Sequence, residues 1–183
     1  SEEEYYDKTY RKTACLFAAS CKIGALGSNL PEEQMTLLQQ YGLCLGYAYQ
    51  IIDDVLDFVS DTSTLGKPAG SDLLQGNITL PVILGLKDEE SGLKLRSLLQ
   101  NKEISSDKMP RILEILQKTG AINDSIKYSR MFLQLALELI DKLPPSNGVK
   151  GLKELSTYLL EEYYQKLNVL NGEDRRSTSG TSY

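Results

Sequence analysis

Apolar residues recur at helical spacing along almost the whole of this 183-residue chain. The pattern is clearest over 32–60, where apolar side chains return every three, four or seven residues. No pair of alternating apolar runs flanks an Asn-Gly or Asp-Gly turn, which is the short-range pattern typical of a β-hairpin. The sequence therefore predicts an all-α array.

Glycine, proline and short polar residues divide this pattern into separate helices. We expect helices over about 2–27, 32–60, 79–86, 91–100, 107–118, 121–143 and 149–167. A loop over 61–72 follows the longest of them. We expect a single helical domain over 1–170 and a disordered polar tail over 171–183.

Composition excludes several classes of function. The chain has no histidine, which removes Ser-His-Asp and Cys-His catalysis and most catalytic zinc sites. Its 20 basic and 25 acidic residues give a net charge of −5, so the basic surface of a nucleic-acid-binding protein is absent. Three cysteines in apolar helical patterns predict free thiols in a reducing compartment. No apolar run is long enough for a transmembrane segment or a signal peptide, and we therefore expect a cytoplasmic location.

Polar residues interrupt the apolar pattern of the helix over 32–60 at Gln50, Asp53, Asp54 and Asp57. Asp53 and Asp57 stand one turn apart on one face, and we expect Gly42 and Gly46 to leave space on that face. Two carboxylates at this spacing repel each other unless a cation lies between them. Oxygen ligands without His or Cys suit Mg²⁺, which commonly bridges carboxylates to a phosphate. The alternative is a solvated acidic face, which the apolar neighbours disfavour.

Two lysines are the candidate phosphate ligands. Lys67 follows a glycine in the loop over 61–72 and precedes Asp72, so it could reach a phosphate held by the metal. Taken alone, a Gly-Lys pair is also an ordinary surface turn. Lys12 and Thr13 place a cation and a hydroxyl among small residues of the first helix, and alone they indicate nothing specific.

Taken together, these stretches occur in the order and spacing found in the trans-isoprenyl diphosphate synthases. The chain resembles the bacterial-type heptaprenyl and octaprenyl synthases over about residues 3–167. The matching stretches are Lys12-Thr13-Ala14, Gly46-Tyr47-Ala48-Tyr49-Gln50-Ile51-Ile52-Asp53-Asp54-Val55-Leu56-Asp57, Leu65-Gly66-Lys67-Pro68 with Asp72, and Gly76-Asn77-Ile78-Thr79-Leu80-Pro81.

This resemblance implies an isoprenoid-synthase-type helical bundle that binds an allylic diphosphate and isopentenyl diphosphate. It implies that Mg²⁺ on the allylic diphosphate is held by Asp53, Asp54, Asp57 and Asp72. It also implies that the same diphosphate is lined by catalytic and substrate-binding residues Lys12, Thr13, Gln50 and Lys67. Dense positive charge on the leaving diphosphate is what cleavage of its carbon–oxygen bond requires.

The sequence departs from the family pattern in two places. Asn77 stands where many members have a lysine, so one positive charge is missing. The family's first aspartate-rich motif, expected before Lys12, is absent, and the chain resembles the C-terminal half of an enzyme. We therefore expect either a homodimer or a complementary N-terminal half as partner. If Leu133, Leu137 and Ile140 normally pack on helices of the other half, we expect them to lack cover in this chain.

Three functions compete. The first is prenyl-chain elongation by an enzyme in which this chain supplies the second aspartate-rich motif and is inactive alone. The second is a non-catalytic half-synthase that modulates a full subunit; erosion of the metal motif would indicate it, and the motif is intact. The third is a terpene cyclase of the same fold, which the absence of tryptophan and the presence of only three phenylalanines disfavour.

Overall fold

The computed structural model describes residues 1–59, 69–100 and 104–173, apart from the side chains of 162 and 166–173. In this part of the chain there is no strand. The helices are α1 Glu2–Thr9, a π-helical turn Tyr10–Ala14, α2 Cys15–Gly27, α3 Glu32–Val59, α4 Ser71–Leu74, α5 Leu80–Gly85, α6 Ser91–Leu99, a 3₁₀ turn Ser106–Lys108, α7 Met109–Lys118, α8 Ala121–Ile140 and α9 Asn147–Glu173. The prediction of an all-α fold is confirmed.

α3 is the central helix of the structure. It packs against α2 on one side and α8 on another, and it also contacts α9. Ile51, Ile52 and Val55 are fully buried at successive positions around the second half of α3. Because neighbouring helices enclose most of this half of α3, its carboxylates lie beside the core.

α1, the π-helical turn and α2 follow one another without a break. Ser1 caps α1: its hydroxyl accepts a hydrogen bond from the backbone N–H of Glu4, and the Glu4 side chain accepts one from the Ser1 amino group. This reciprocal arrangement satisfies two donors that a helix start would otherwise leave unpaired. The acidic first turn, Glu2 to Glu4, also opposes the positive end of the helix dipole.

A small second core connects α1 to α3 and α5. Tyr5, Ile51 and Leu80 are buried together there, and aromatic side chains from α1 and α8 pack around them. Tyr6 and Phe132 are among these, in edge-to-face contact. This cluster fixes the start of α1 over the second half of α3, next to the loop between α4 and α5.

Several predicted boundaries differ from the observed ones. The first predicted helix contains an unpredicted π-helical turn. The short helix α4 begins at the end of the loop expected over 61–72, and α8 ends at Ile140 instead of at residue 143. α9 continues to Glu173, so the first residues of the expected tail are helical, and 174–183 lie outside the described residues. Ile140 is fully buried and Leu133 packs on the core, so helices of this chain cover these two residues, whereas Leu137 is half-buried.

Helices α2 and α9 carry large apolar side chains on the surface of the structure. Those of Leu16, Ile23, Leu155 and Tyr158 are more than half exposed. None of the described helices combines the length and the apolar run that a bilayer crossing would need.

Candidate diphosphate and metal site

Glycines on α3 bring the π-helical turn against the second half of that helix. A Cβ atom on Gly46 would lie 2.6 Å from the Cα of Ala14, and one on Gly42 would lie 2.5 Å from the carbonyl oxygen of Phe17. The expectation that Gly42 and Gly46 leave open space on that face is therefore wrong, because backbone atoms of the preceding helices fill it. The close approach instead carries Lys12 and Thr13 to the side of α3 where the aspartates begin.

Hydrogen bonds join the first helix to the aspartate-rich segment. The Thr13 hydroxyl donates to the Gln50 side-chain oxygen at 2.6 Å. The Gln50 amide donates to Asp54 Oδ1 at 2.8 Å, and the Tyr5 hydroxyl donates to Asp54 Oδ2 at 2.6 Å. Both oxygens of Asp54 accept hydrogen bonds, so this buried carboxylate orients Gln50 and Tyr5.

Asp54 is only 3% exposed, and its environment shifts its acidity. Burial raises the pKa of Asp54 to about 6, although hydrogen bonds from Tyr5 and Gln50 and the positive charge of Lys12 oppose that rise. Burial, together with the neighbouring Asp54 charge, also raises the pKa of the Tyr5 hydroxyl, which therefore keeps its proton and donates a hydrogen bond to the carboxylate.

The other aspartates differ in burial. Asp53 is exposed and Asp57 is half-buried, one turn apart on α3. The backbone N–H of Asp72, at the start of α4, donates to Asp57 Oδ2 at 3.0 Å. Burial raises the pKa of Asp57, and the charges of Asp72 and Asp53 act in the same direction. Within the described residues, no three acidic or cysteine side chains are already grouped closely enough to hold a metal ion.

An open pocket of about 100 Å³ lies between α1, α3 and the loop before α5. Lys8 and Lys12 line it from the first helix, and Gln50, Asp54 and Asp72 line it from the opposite side. It therefore combines cations with carboxylate and amide oxygens, which is the mixture that a metal–phosphate ligand requires. Its other lining residues are Tyr5, Thr9, Asn77, Ile78 and Thr79.

Lys12, Thr13, Gln50, Asp54 and Asp72 are thus brought together by the fold. Asp53 and Asp57 lie on α3 close to Asp54 but are not among the residues that line the pocket, and Lys67 lies outside the described residues. Sequence reasoning missed Tyr5, Lys8 and Thr79 as residues of the pocket. Lys8 could have been found, because it precedes Lys12 by four residues, whereas nothing local in the sequence connects Tyr5 to Asp54.

Comparison with known proteins identifies the family. The sequence profile of the polyprenyl synthetase family matches residues 1–116, more than half of the chain. The chain belongs to the polyprenyl synthetase family. The residues of the pocket all lie within the part of the chain that this profile covers.

Relatives within the polyprenyl synthetase family are much longer than this chain. Heptaprenyl diphosphate synthase component 2 of Bacillus subtilis is 41% identical over 155 residues, which are 85% of this chain and 44% of that protein. A prenyl transferase of Cyanophora paradoxa is 40% identical over 162 residues, or 88% of this chain and 49% of that protein. The chain thus spans about half the length of these curated relatives.

Solved structures of polyprenyl synthetases have the same fold over a similar span. Heptaprenyl diphosphate synthase of Staphylococcus aureus matches with a TM-score of 0.79 at 34% identity, covering 87% of this chain and 50% of that one. Geranylgeranyl pyrophosphate synthase of Corynebacterium glutamicum, solved with calcium and isoprenyl diphosphate, matches with a TM-score of 0.78 at 28% identity. It covers 88% of this chain and 50% of that one. The isoprenoid-synthase fold is confirmed.

Proposed function

We propose that this chain contributes the allylic-diphosphate site of a prenyltransferase that condenses an allylic diphosphate with isopentenyl diphosphate. The observation that carries the proposal is the pocket in which Lys12 and the Thr13–Gln50 hydrogen bond face the carboxylates of α3 and α4. Membership of the polyprenyl synthetase family supports it.

The donor chemistry of the site fits Mg²⁺ at Asp53 and Asp57. Both present hard oxygen ligands on one face of α3, and Asp53 is exposed, so little desolvation opposes binding there. Asp72, which lines the pocket and whose backbone N–H binds Asp57, adds a third carboxylate nearby. Asp54 is less suited to hold the ion than we expected from the sequence, because both of its oxygens already accept hydrogen bonds. We assign Asp54 the role of orienting Gln50.

When bound, Mg²⁺ would neutralise charge on the diphosphate. In the proposed reaction the allylic carbon–oxygen bond breaks and its electron pair leaves with pyrophosphate. The double bond of isopentenyl diphosphate then forms the new carbon–carbon bond, and a proton is lost from the isopentenyl unit. Lys12 stabilises the growing negative charge of the leaving group, and Gln50, held by Thr13 and Asp54, orients it.

A second candidate is a subunit that depends on another component. Two relatives, from Bacillus subtilis and Geobacillus stearothermophilus, are named component 2 of heptaprenyl diphosphate synthase, and this name favours a partner component. A homodimer remains the other form of assembly that we propose. Because the chain spans about half of these relatives, we expect it to need further structure for turnover.

Calorimetry with inorganic pyrophosphate in the presence of Mg²⁺ tests the site. We expect binding to the protein, and we expect Asp53→Ala to abolish it because one of the two carboxylates on that face is lost. Asp124→Ala is the matched control, since Asp124 is a partly exposed aspartate on α8, outside the pocket, paired with Lys127. Equal binding by wild type and Asp53→Ala would contradict the proposed metal site.

A further inference from the structure

Lys8 crosses the pocket to contact the loop before α5. Its ammonium group donates a hydrogen bond to Asn77 Oδ1 at 2.7 Å, joining residues 69 positions apart in the sequence. Both side chains line the pocket with Lys12. An ammonium group has three N–H donors, so this bond leaves others available to a ligand.

The partner of Lys8 in this bond is a neutral amide. A carboxylate in the same place would compensate the lysine charge, as Asp7 does for Arg11 on the neighbouring turn. An amide oxygen orients the ammonium group and leaves its positive charge uncompensated. The pair therefore presents a fixed cation to the pocket.

Thr79 supplies an independent sign of a ligand in the same place. Its side chain is 6% exposed, and it lines the pocket two residues after Asn77. Its hydroxyl has no hydrogen-bond partner in the part of the chain that the structure describes. Buried hydroxyl groups are normally paired, so this one is a donor that an oxygen-rich ligand entering the pocket would satisfy.

We infer that Lys8, positioned by Asn77, is a second cationic contact to the diphosphate beside Lys12. The inference rests on the proposed function, because it concerns the same ligand. A diphosphate carries charge on the oxygens of two phosphate groups, so lysines four residues apart on one helical segment can engage different oxygens. Lys8 on α1 thereby supplies the positive charge that a lysine in place of Asn77 would have given the pocket.

The test compares pyrophosphate affinity, measured by calorimetry with Mg²⁺, between variants that each remove one positive charge. Lys8→Met and Lys12→Met remove lysines of the pocket, and Lys22→Met removes an exposed lysine of α2 outside it. We expect Lys8→Met to weaken pyrophosphate binding about tenfold, as loss of a charged hydrogen bond does. Lys22→Met should leave the affinity unchanged, and Lys8→Arg should restore most of it.

Thermal unfolding without ligand separates binding from a structural role of the Lys8–Asn77 contact. We expect Lys8→Met to unfold at the wild-type temperature while its affinity falls. If Lys12→Met weakens binding and Lys8→Met behaves like Lys22→Met, the proposed function stands and this inference is overturned. If the wild-type protein binds no pyrophosphate, both are overturned.

Discussion

Gly46 is the position where a single methyl group should test how the site is assembled. A Cβ atom there would lie 2.6 Å from the Cα of Ala14, which is backbone and cannot rotate away. Ordinary carbon–carbon contacts are about 3.5–4.0 Å, so Gly46→Ala must move the π-helical turn from α3 by about 1 Å. Thr13 adjoins Ala14, and its 2.6 Å hydrogen bond to Gln50 would lengthen with that movement.

The expected loss of stability in Gly46→Ala is the cost of overpacking and of a weakened hydrogen bond, less the gain in helix propensity. Overpacking of this kind costs about 1–3 kcal/mol, and a weakened hydrogen bond adds about 1 kcal/mol. Alanine gains about 0.5–1 kcal/mol over glycine within a helix. We therefore expect Gly46→Ala to lower the free energy of unfolding by roughly 1–3 kcal/mol, and the unfolding temperature by about 2–4 °C per kcal/mol.

Gly24→Ala is the matched control, because nothing lies within 4 Å of a Cβ atom at that helical position. That variant should be as stable as wild type or more stable, by up to about 1 kcal/mol. The assays are thermal unfolding followed by circular dichroism and calorimetry with pyrophosphate and Mg²⁺. If Gly46→Ala matched Gly24→Ala in both, the argument that glycine sets the helix approach would be refuted.

Two further predictions concern Asp54 and catalysis. Because burial raises the folded-state pKa of Asp54 to about 6 from 3.8, ionised Asp54 opposes folding above pH 6, and this penalty disappears as the pH falls towards 4. In EDTA, the unfolding free energy of wild type relative to Asp54→Asn should therefore rise by roughly 2 kcal/mol between pH 7 and pH 4, and a flat difference would contradict the shift. Incubated alone with Mg²⁺, farnesyl diphosphate and labelled isopentenyl diphosphate, the 183-residue chain should form no butanol-extractable product; extension would refute its dependence on further structure.

The amino-acid sequence by itself determined most of the helices and the arrangement of the aspartates on the central helix. Helical periodicity, caps and breaks are local properties, so the start of α3 at Glu32 and the break at Gly120 followed from neighbouring residues. The spacing of Asp53 and Asp57 likewise fixed their common face, because a helix of known period places them one turn apart.

Only the tertiary structure decided which residues meet. Tyr5 reaches Asp54 across 49 positions, and Lys8 reaches Asn77 across 69, through packing that no local pattern encodes. The same packing gave Gly46 its role, because whether a glycine faces a ligand or another helix depends on what lies opposite. Burial then distinguished Asp53 from its neighbour Asp54: the sequence shows two adjacent carboxylates, but the fold exposes Asp53 and buries Asp54.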